Sequence, residues 1–533
     1  MSVISLQKTC EQLLNIGEYG AEGHWKNCSL IRKILDVFLS FTRCSFFPAI
    51  CVGAVLFFCI ADPHLLLVII ASVTLALTVI WGGALIRSLI QMHKIHQFES
   101  KIIPDKAVSL GGSSENDCFI TKDGAESLNL KLQLIKAAQQ SIEISGSYCG
   151  GKVFQDVLEE IDNKLSTNKE IKIRILSNND FLTDKNKFLI KSISSKYPEQ
   201  FFLIEVIKPL ILLPTLRTIS NHTKFVIVDG SIGITGGTGI QDVFNSENEQ
   251  ADDATQITLS SHALKGGVRD TDILIHGPLV QCMRKQFFHL LEKWDFISGE
   301  NHKYGSLGDL NVELNQSPVL LRLENLVQEN ERQICKRVVA SMVVGSYEQG
   351  RNHGCKRIHM EMIRSAKKTL SIAHMCINHD EVVQALEEAA LRDVKITIVT
   401  NGASSAAPMS AKILAPANRG ALARLLNSGK DIHWYEYGKN SVFYHKKVMV
   451  VDEKLVAMGS YNLAFCSDPE DENSVIFESE ELVKTVCDLI SEDIKVSRKI
   501  PQDYYSGLIG KVRLYSNNLL RNCILSVTKN IFQ

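Results

Sequence analysis

The sequence predicts an α/β fold made of two duplicated domains that share one active site, preceded by a two-helix transmembrane hairpin. Three observations support this prediction. The pattern His-x-Lys-x-x-x-x-Asp occurs twice, at 222–229 and 445–452. Helix-like and strand-like patterns follow the same order ahead of each copy, and two uncharged apolar stretches precede both. At 533 residues, the chain is long enough for two or three domains with large cores.

The hairpin is predicted at 44–90, after an N-terminal segment, 1–43, expected on the cytoplasmic side. Residues 44–61 and 65–86 carry no charge, and each stretch is about long enough to cross a hydrocarbon core of roughly 30 Å as a helix. Pro63 favours a turn between them. Basic residues flank the hairpin on both sides but are missing from the turn, so both ends are expected in the cytoplasm. Two buried core helices are the alternative.

The duplicated domains are predicted at 118–298 and 346–495. In each, a helix leads into a short strand, and a second helix leads into an alternating strand. This order indicates α/β units with a mostly parallel or mixed sheet. The predicted elements are 130–140, 141–144, 153–165 and 171–176 in the first half, and 360–368, 369–372, 380–391 and 394–399 in the second. The motif strand is expected to come last in each half.

Two segments fall outside the domains. Residues 299–345 are predicted as a connection because 298–318 is rich in Gly, Asn and Ser. The tail, 496–533, has an apolar and basic pattern around 508–532. We favour a helix packed on the core or a disordered tail, and a helix on the membrane surface is the alternative.

Composition argues against a dedicated nucleic-acid binder without excluding a nuclease. The net charge is −1 and the pI is about 6.9, which does not resemble the basic footprint of a dedicated nucleic-acid binder. The 14 cysteines include no Cys-x-x-Cys pair, so reduced and mostly buried thiols are expected rather than a structural zinc site. A reducing compartment follows. We expect no metal and no cofactor.

The repeated motif suits phosphodiester chemistry. Histidine can act as nucleophile or acid because its pKa lies near operating pH. Lysines neutralise the phosphate oxygens as charge develops in the transition state. Where two such strands meet at one site, we therefore expect His222, Lys224 and Asp229 to lie close to His445, Lys447 and Asp452, around one phosphate.

The repeat extends beyond the motif. Six residues after each motif aspartate come Gly236-Gly237-Thr238-Gly239 and Gly459-Ser460-Tyr461-Asn462. Thr238, Ser460 and Asn462 are candidate phosphate contacts because their side chains can donate hydrogen bonds. Further on, Asp270 and Glu472 each enter another apolar strand, and an acid bonded to one ring nitrogen orients a histidine.

These residues resemble the phospholipase D superfamily, whose signature is the duplicated motif with a following Gly-Ser or Gly-x-Asn. The resemblance covers about 118–490 and is greatest to bacterial cardiolipin synthases, which also begin with two membrane helices. Arg269-Asp270-Thr271-Asp272 and Gly277-Pro278 match a run of those synthases, which have His in place of Asp272. The hairpin is similar to that of chlamydial inclusion-membrane proteins. The chain therefore resembles a chlamydial phospholipase D-like protein, which implies a bacterial inner membrane or an inclusion membrane.

The resemblance implies a phosphohistidine mechanism. By analogy His222 is the nucleophile and His445 the acid and base, although the symmetry of the motif leaves the reverse open. Lys224, Lys447, Ser460 and Asn462 would hold phosphate. In the family the motif aspartates, here Asp229 and Asp452, are mainly structural, and Asp270 and Glu472 would orient the histidines.

Two departures from the family pattern stand out. Gly239 occupies a position where Asn is usual, and the run beginning at His374 replaces an aromatic-rich run. Both concern substrate choice rather than the main catalytic groups. His262, His276 and His374 are expected to be core or surface histidines. An acidic loop at 247–253 is expected to be solvated surface.

The leading hypothesis is a membrane-anchored phosphodiesterase of the phospholipase D type, with phospholipid and the bilayer as partners. The alternatives are a nuclease with the same chemistry and a non-catalytic membrane scaffold. The sequence leaves hydrolysis and transfer open, along with the head group and the oligomeric state.

Overall fold

The computed structural model describes residues 114–178, 181–206, 220–245, 267–299, 333–346, 353–402, 409–426, 428–438, 442–464, 467–468 and 470–532. The segment 1–43 and the transmembrane hairpin predicted at 44–90 lie outside these ranges. So do His262 and the acidic loop at 247–253. Among the helices that the structure describes, none combines the length and the apolar character needed to span a bilayer.

The first half alternates strands and helices. Its elements are β1 (Ser114–Ile120), α1 (Gly124–Ala137), β2 (Ser141–Gly146), α2 (Gly151–Thr167), β3 (Lys172–Asn178), α3 (Asp184–Lys196), β4 (Phe201–Val206), β5 (Ser220–Asn221), β6 (Lys224–Val228), β7 (Ile232–Gly236), β8 (Val268–Arg269), β9 (Asp272–His276) and α4 (Leu279–Ser298).

The second half follows a similar succession, without a counterpart of β8 and with a strand and a helix added at its end. Its elements are β10 (Cys335–Gly345), α5 (Gly354–Ser365), β11 (Thr369–His374), α6 (Asp380–Leu391), β12 (Lys395–Asn401), α7 (Met409–Leu426), β13 (Ile432–Tyr437), β14 (Phe443–Tyr444), β15 (Lys447–Val451), β16 (Leu455–Gly459), β17 (Glu470–Glu478), α8 (Glu480–Lys495), β18 (Ser497–Ile500) and α9 (Gly507–Phe532).

One mixed sheet runs through both halves, which confirms the predicted α/β class. Its order is β18-β13-β12-β11-β15-β16-β17-β10-β1-β9-β7-β6-β2-β3-β4. Strands β2, β3 and β4 are parallel to one another, and so are β11, β12 and β13. The halves meet where β1 and β10 pair in antiparallel fashion. Outward from this pair, the described strands of the two halves follow the same order.

Local sequence explains where several helices begin. Asp123 accepts a hydrogen bond from the Glu126 N–H at the start of α1, and Ser479 accepts one from the Leu482 N–H at the start of α8. Such caps satisfy backbone donors that have no partner inside the helix. Several central strands are fully buried, such as β6 and β15, which are apolar after a first lysine, as expected for a sheet covered on both faces.

Buried ion pairs join the two halves on either side of the sheet centre. In α4, Lys293 donates to Asp471 of β17 at 2.6 Å, and the Trp294 indole N–H donates to the same carboxylate at 2.8 Å. In α8, Asp493 accepts from Arg269 of β8 at 3.0 Å and from Lys446 at 2.6 Å. Lys446, expected to be a solvated charge, is therefore buried in this contact.

Several expectations about the elements need correction. Strand β10 lies inside the segment predicted as a connection, where it pairs with β1 and β17. The motif strands are not last, because β7 and β9 follow in the first half and β16 and β17 in the second. The parallel strands β4, at one edge of the sheet, and β13, next to the edge strand β18, were missed because their runs are short. The tail forms helix α9, against the prediction of a disordered tail but in agreement with a helix.

Seven cysteines whose side chains the structure describes are free, and five of them are buried. His276 and His374 are buried, as a core assignment requires.

Candidate active site

The two motif histidines follow the two-residue strands β5 and β14, which cross between the halves. Strand β5 pairs with Glu470–Asp471 of β17, and β14 pairs with Val268–Arg269 of β8. Each histidine is thereby delivered to an acid that belongs to the other half.

His222 is held by Glu472. Its Nδ1 lies 3.0 Å from both carboxylate oxygens. The Ser460 hydroxyl donates to Glu472 Oε2 at 2.5 Å. A second acid, Glu470, lies 3.8 Å from the same ring nitrogen and accepts from the Ser220 hydroxyl at 3.0 Å. With Nδ1–H donated to Glu472, Nε2 carries the lone pair of the ring, as a nucleophile requires.

His445 is held in the same way by Asp270. The distance from Nδ1 to Asp270 Oδ2 is 2.6 Å, and the other carboxylate oxygen accepts from the Thr271 N–H at 2.9 Å. Asp270 and Glu472 are fully buried, and both histidines are nearly so. The structure therefore brings together all four residues, with the acids exchanged between the halves.

The motif lysines lie beside their histidines. Lys224 Nζ donates to the His222 carbonyl at 2.8 Å, and Lys447 Nζ donates to the His445 carbonyl at 2.5 Å. Burial lowers the pKa of Lys224, and the charge of Lys447 lowers it further. An anion bound close to both ammonium groups would relieve this repulsion.

Burial also acts on the acids. It raises the pKa of Asp270 to about 6, against the opposing charge of Lys447. Burial, with the adjacent Glu470 carboxylate, raises the pKa of Glu472 as well. Perturbed groups of both signs in one buried cluster are typical of functional sites.

The predicted phosphate contacts differ in their surroundings. Within the described part of the chain, both polar atoms of the Asn462 amide and the Thr238 hydroxyl are buried without a hydrogen-bond partner. Unpaired buried polar groups are costly, so a ligand that pairs with them is favoured. The Ser460 hydroxyl, by contrast, is already bonded to Glu472. Ser460 therefore positions an acid in this structure.

The motif aspartates lie at the opposite ends of their strands from the histidines. Asp229 accepts hydrogen bonds from the N–H groups of residues 139–141, and Asp452 accepts them from the N–H groups of residues 367–369. Both have positive φ, near 50°. They tie the turn after the motif strand to the start of β2 or β11. They were predicted among the catalytic residues, and their position away from the histidines favours the structural role that the family resemblance implies.

Gly239 has no room for the asparagine expected there. A Cβ on Gly239 would lie 2.5 Å from Tyr148 Cβ and 2.6 Å from the Tyr148 carbonyl oxygen. The Tyr148 ring lies 6.3 Å from the His222 ring and 5.9 Å from the His445 ring, edge-on to both. Lys224 Nζ is 5.5 Å from its centroid. Tyr148 therefore belongs to the site, and it lies against the position at which the first half lacks the asparagine.

Sequence reasoning missed Tyr148 and Glu470. Neither belongs to the repeated pattern, but each could have been suspected from its place: Tyr148 directly follows strand β2, and Glu470 lies two residues before Glu472. Phe244 and Phe443 were also missed, and their rings lie 6.1 Å and 5.8 Å from His445. These three rings form an aromatic wall beside the histidines.

One group in the described ranges has the geometry of a metal site. Ligand atoms of His222, Glu470 and Glu472 lie within 4.8 Å of one another, all buried. The serines bonded to both carboxylates and the nearby Lys224 ammonium already compensate part of their charge. The contacts in the structure are those of a hydrogen-bonded histidine.

Comparison with known proteins agrees with this geometry. Residues 359–494 match the family model described as cardiolipin synthase, phospholipase D-like domain. The chain is 26% identical to the cardiolipin synthase of Geobacillus kaustophilus over 299 residues, which is 55% of this chain and 50% of the relative. It is 22% identical to the cardiolipin synthase of Clostridium perfringens strain 13 over 351 residues, 66% of this chain and 64% of the relative. The matched parts span about half the length of most of these relatives.

The fold is similar to the crystal structure of the phosphatidylserine synthase of Haemophilus influenzae Rd KW20. The TM-score is 0.54 at 12% sequence identity, over 80% of this chain and 97% of the other. At this identity the likeness concerns the fold. The match of residues 359–494 to the family model agrees with the resemblance that the repeated motif indicated.

Proposed function

We propose that this chain, which carries a phospholipase D-like domain of the cardiolipin synthase kind, cleaves or transfers phosphatidyl groups of phospholipids through a phosphohistidine intermediate. One observation carries the proposal: two buried histidines, each held at Nδ1 by an acid of the other half, beside two buried lysines. Several relatives are named cardiolipin synthases, which supports lipid as the substrate class.

In the first step the Nε2 lone pair of His222 attacks phosphorus. The P–N bond forms, the P–O bond to the leaving alcohol breaks, and His445 gives its Nε2 proton to the leaving oxygen. In the second step His445 removes a proton from water or from a second alcohol. The new P–O bond forms, the P–N bond breaks, and both histidines return to their starting states.

The acids make these steps feasible by orienting the rings and stabilising the imidazolium. Asp270 supports His445 when that ring is protonated, and Glu472 supports His222 when its nitrogen bonds to phosphorus. Lys224 and Lys447 neutralise the equatorial phosphate oxygens as charge develops. Asn462 and Thr238 donate hydrogen bonds to the same group, since their polar side-chain atoms are buried and have no hydrogen-bond partner within the described part of the chain. The chemistry calls for no cofactor.

We also propose that the halves arose by internal duplication, which is supported by their matching strand orders. The chain would be held to a bacterial inner membrane or an inclusion membrane by the hairpin at 44–90, with the catalytic part on the cytoplasmic side. The sequence supports this placement through its uncharged stretches and flanking basic residues.

The test is lipid turnover by the full chain in detergent, beside His222→Ala and His445→Ala. Labelled phosphatidylglycerol and phosphatidylcholine are offered with and without glycerol, and single-stranded DNA is a separate substrate. We expect lipid turnover that both substitutions abolish. Phosphatidic acid as product indicates hydrolysis, and a transferred phosphatidyl group indicates a transferase. DNA cleavage without lipid turnover would establish the nuclease alternative, and turnover of neither would favour a scaffold.

A further inference from the structure

Helix α9 carries a line of exposed apolar side chains that its packing does not use. Leu508, Val512, Tyr515 and Leu519 are 80%, 59%, 71% and 54% exposed. Their spacing of four, three and four residues places them along one helix face. We call these four residues the apolar stripe. At 1.5 Å per residue the stripe is roughly 16 Å long.

The opposite face of the helix holds it to the protein. Gly510 is buried against Tyr505, and Leu514 packs against the core of the second half. The Asn517 amide donates to the Tyr505 hydroxyl at 3.2 Å. A Cβ on Gly420 of α7 would meet the Asn517 carbonyl oxygen at 2.8 Å, so the two helices are in close contact. The stripe therefore faces away from the core.

The exposure is concentrated on this helix. In the described part of the chain, nine large apolar side chains are 45% or more exposed, and five of them, the stripe and Ile509, lie on α9. Single exposed apolar residues are common, but a contiguous set is typical of an interaction surface.

The charge pattern identifies the partner. Lys511 is exposed beside the stripe, and Arg513 is exposed farther round the helix, with its guanidinium 5.1 Å from the Tyr504 ring centroid. The sequence from 507 to 533 contains no Asp or Glu. A basic helix with one apolar face suits an anionic bilayer surface, where the apolar face enters the interfacial region and the cations meet lipid phosphates.

The far half of the helix is tied to the rim of the candidate site. Arg521 donates to the Asp380 carboxylate and, at 3.4 Å, to the Asn378 carbonyl. The Asn378 N–H donates to the carbonyl of Leu463, the residue after Asn462. Contact between α9 and a bilayer would therefore bring this rim close to the lipid surface.

We infer that helix α9 is an interfacial helix whose apolar stripe docks on anionic phospholipid bilayers. This inference rests on the proposed function only for the reason why docking would be useful. The apolar stripe and the charge of the helix are defined without any catalytic group. The tail would thus have the membrane-surface role that was the alternative prediction from its sequence.

Site-specific photocrosslinking tests the inference in the full chain. Tyr515→p-benzoylphenylalanine is compared with Phe188→p-benzoylphenylalanine, a matched control because both residues are 71% exposed aromatics. Each variant is reconstituted with vesicles of phosphatidylcholine alone or with phosphatidylglycerol. We expect lipid adducts at position 515 at least five-fold above position 188, increased by phosphatidylglycerol and reduced by high salt. Equal adducts at both positions, or adducts to other segments of the chain at 515, would overturn the inference.

A second measurement separates docking from catalysis. Val512→Glu places a charge on the stripe without touching the packed face, so folding should be retained. We expect at least a five-fold loss of turnover on phosphatidylglycerol vesicles and unchanged turnover of a short-chain, monomeric phospholipid. Equal turnover of both substrates by variant and parent would contradict docking. If the parent turns over neither lipid, the proposed function fails, and the crosslinking result still decides the docking.

Discussion

Glu472 and His222 lie 250 residues apart in the chain, and yet both carboxylate oxygens of Glu472 are 3.0 Å from Nδ1 of His222. The reciprocal contact, His445 with Asp270, spans 175 residues in the opposite sense. Neither half therefore holds a complete histidine–acid pair of its own. Function in this arrangement depends on the two halves being docked, which explains the buried ion pairs that join them.

Removing one orienting acid should reduce catalysis without blocking binding. Glu472→Gln keeps the size of the side chain but loses the charge that supports the His222 imidazolium. We expect kcat to fall on the order of 10²–10⁴-fold with KM changed little. Asp270→Asn should act similarly through His445. Steady-state kinetics on both variants, with circular dichroism to verify folding, is the measurement. A kcat within three-fold of the parent for either variant would show that its acid is dispensable.

Trapping the intermediate would assign the two histidines. If His222 is the nucleophile, His445→Ala should slow both proton transfers and His222→Ala should prevent phosphohistidine formation altogether. A lipid carrying a good leaving group needs no acid in the first step, so His445→Ala should then accumulate a phosphatidyl group on His222. Mass spectrometry of peptides from rapidly quenched enzyme locates the modification. A phosphatidyl group on His445 in the His222→Ala variant would reverse the assignment.

The structure also shows which parts of the site the sequence could predict. The motif and its spacing predicted that His222, Lys224, His445 and Lys447 would meet, because the strand pattern is regular around both copies. The exchange of acids was beyond reach, since it depends on β5 and β14, strands of two residues with no readable period. A single chain pattern indicates which residues line a strand end, but not which of two equivalent acids faces which histidine.

Tyr148 is a further example, because its role depends on the asparagine that is missing at position 239. Only the close approach at Gly239 reveals that Tyr148 lies against the position of the missing side chain. The sequence identified the missing asparagine but carried no signal for its replacement. Strand β10 was missed for another reason, since it lies within the segment that was assigned to the connection between the halves.

Substitution of Tyr148 should separate the role of the ring from that of the hydroxyl. The ring packs edge-on to both histidines and lies near Lys224, so Tyr148→Ala should lower kcat roughly 10-fold or more, in line with about 1–2 kcal/mol for such contacts. Tyr148→Phe keeps the ring and should stay within about three-fold. Kinetics of both variants on one lipid is the measurement. Equal losses in the two variants would instead assign the function to the hydroxyl.

The raised pKa of Asp270 makes a prediction about stability. Burial raises this pKa from 3.8 to about 6, so the folded state binds the proton more tightly than the unfolded state. The stability from this carboxyl is fully present below about pH 4 and is lost as pH rises through about 6. Asp270→Asn does not titrate. Its stability relative to the parent should therefore increase between pH 4.5 and pH 7.5, by about 2 kcal/mol. Denaturant unfolding at both pH values measures the difference, and a constant difference would contradict the shift.

The motif aspartates should matter for stability rather than for chemistry. Asp452 accepts the N–H groups of residues 367–369, and Asp229 those of residues 139–141. Burial alone would raise the pKa of Asp452, but these N–H donors hold it below its usual range, so its stabilising contribution is present at neutral pH and is lost as pH falls through the folded pKa.

In Asp452→Asn, the asparagine tolerates the positive φ at this position but lacks the charge that strengthens the hydrogen bonds from the N–H groups of residues 367–369. We expect about 1–2 kcal/mol less stability at pH 7 and kcat within about three-fold of the parent. Asp229→Asn should behave alike, because its contacts are equivalent. Denaturant unfolding and steady-state kinetics on the same preparations separate the two effects. A loss of kcat above 100-fold at full stability would return these aspartates to the catalytic group.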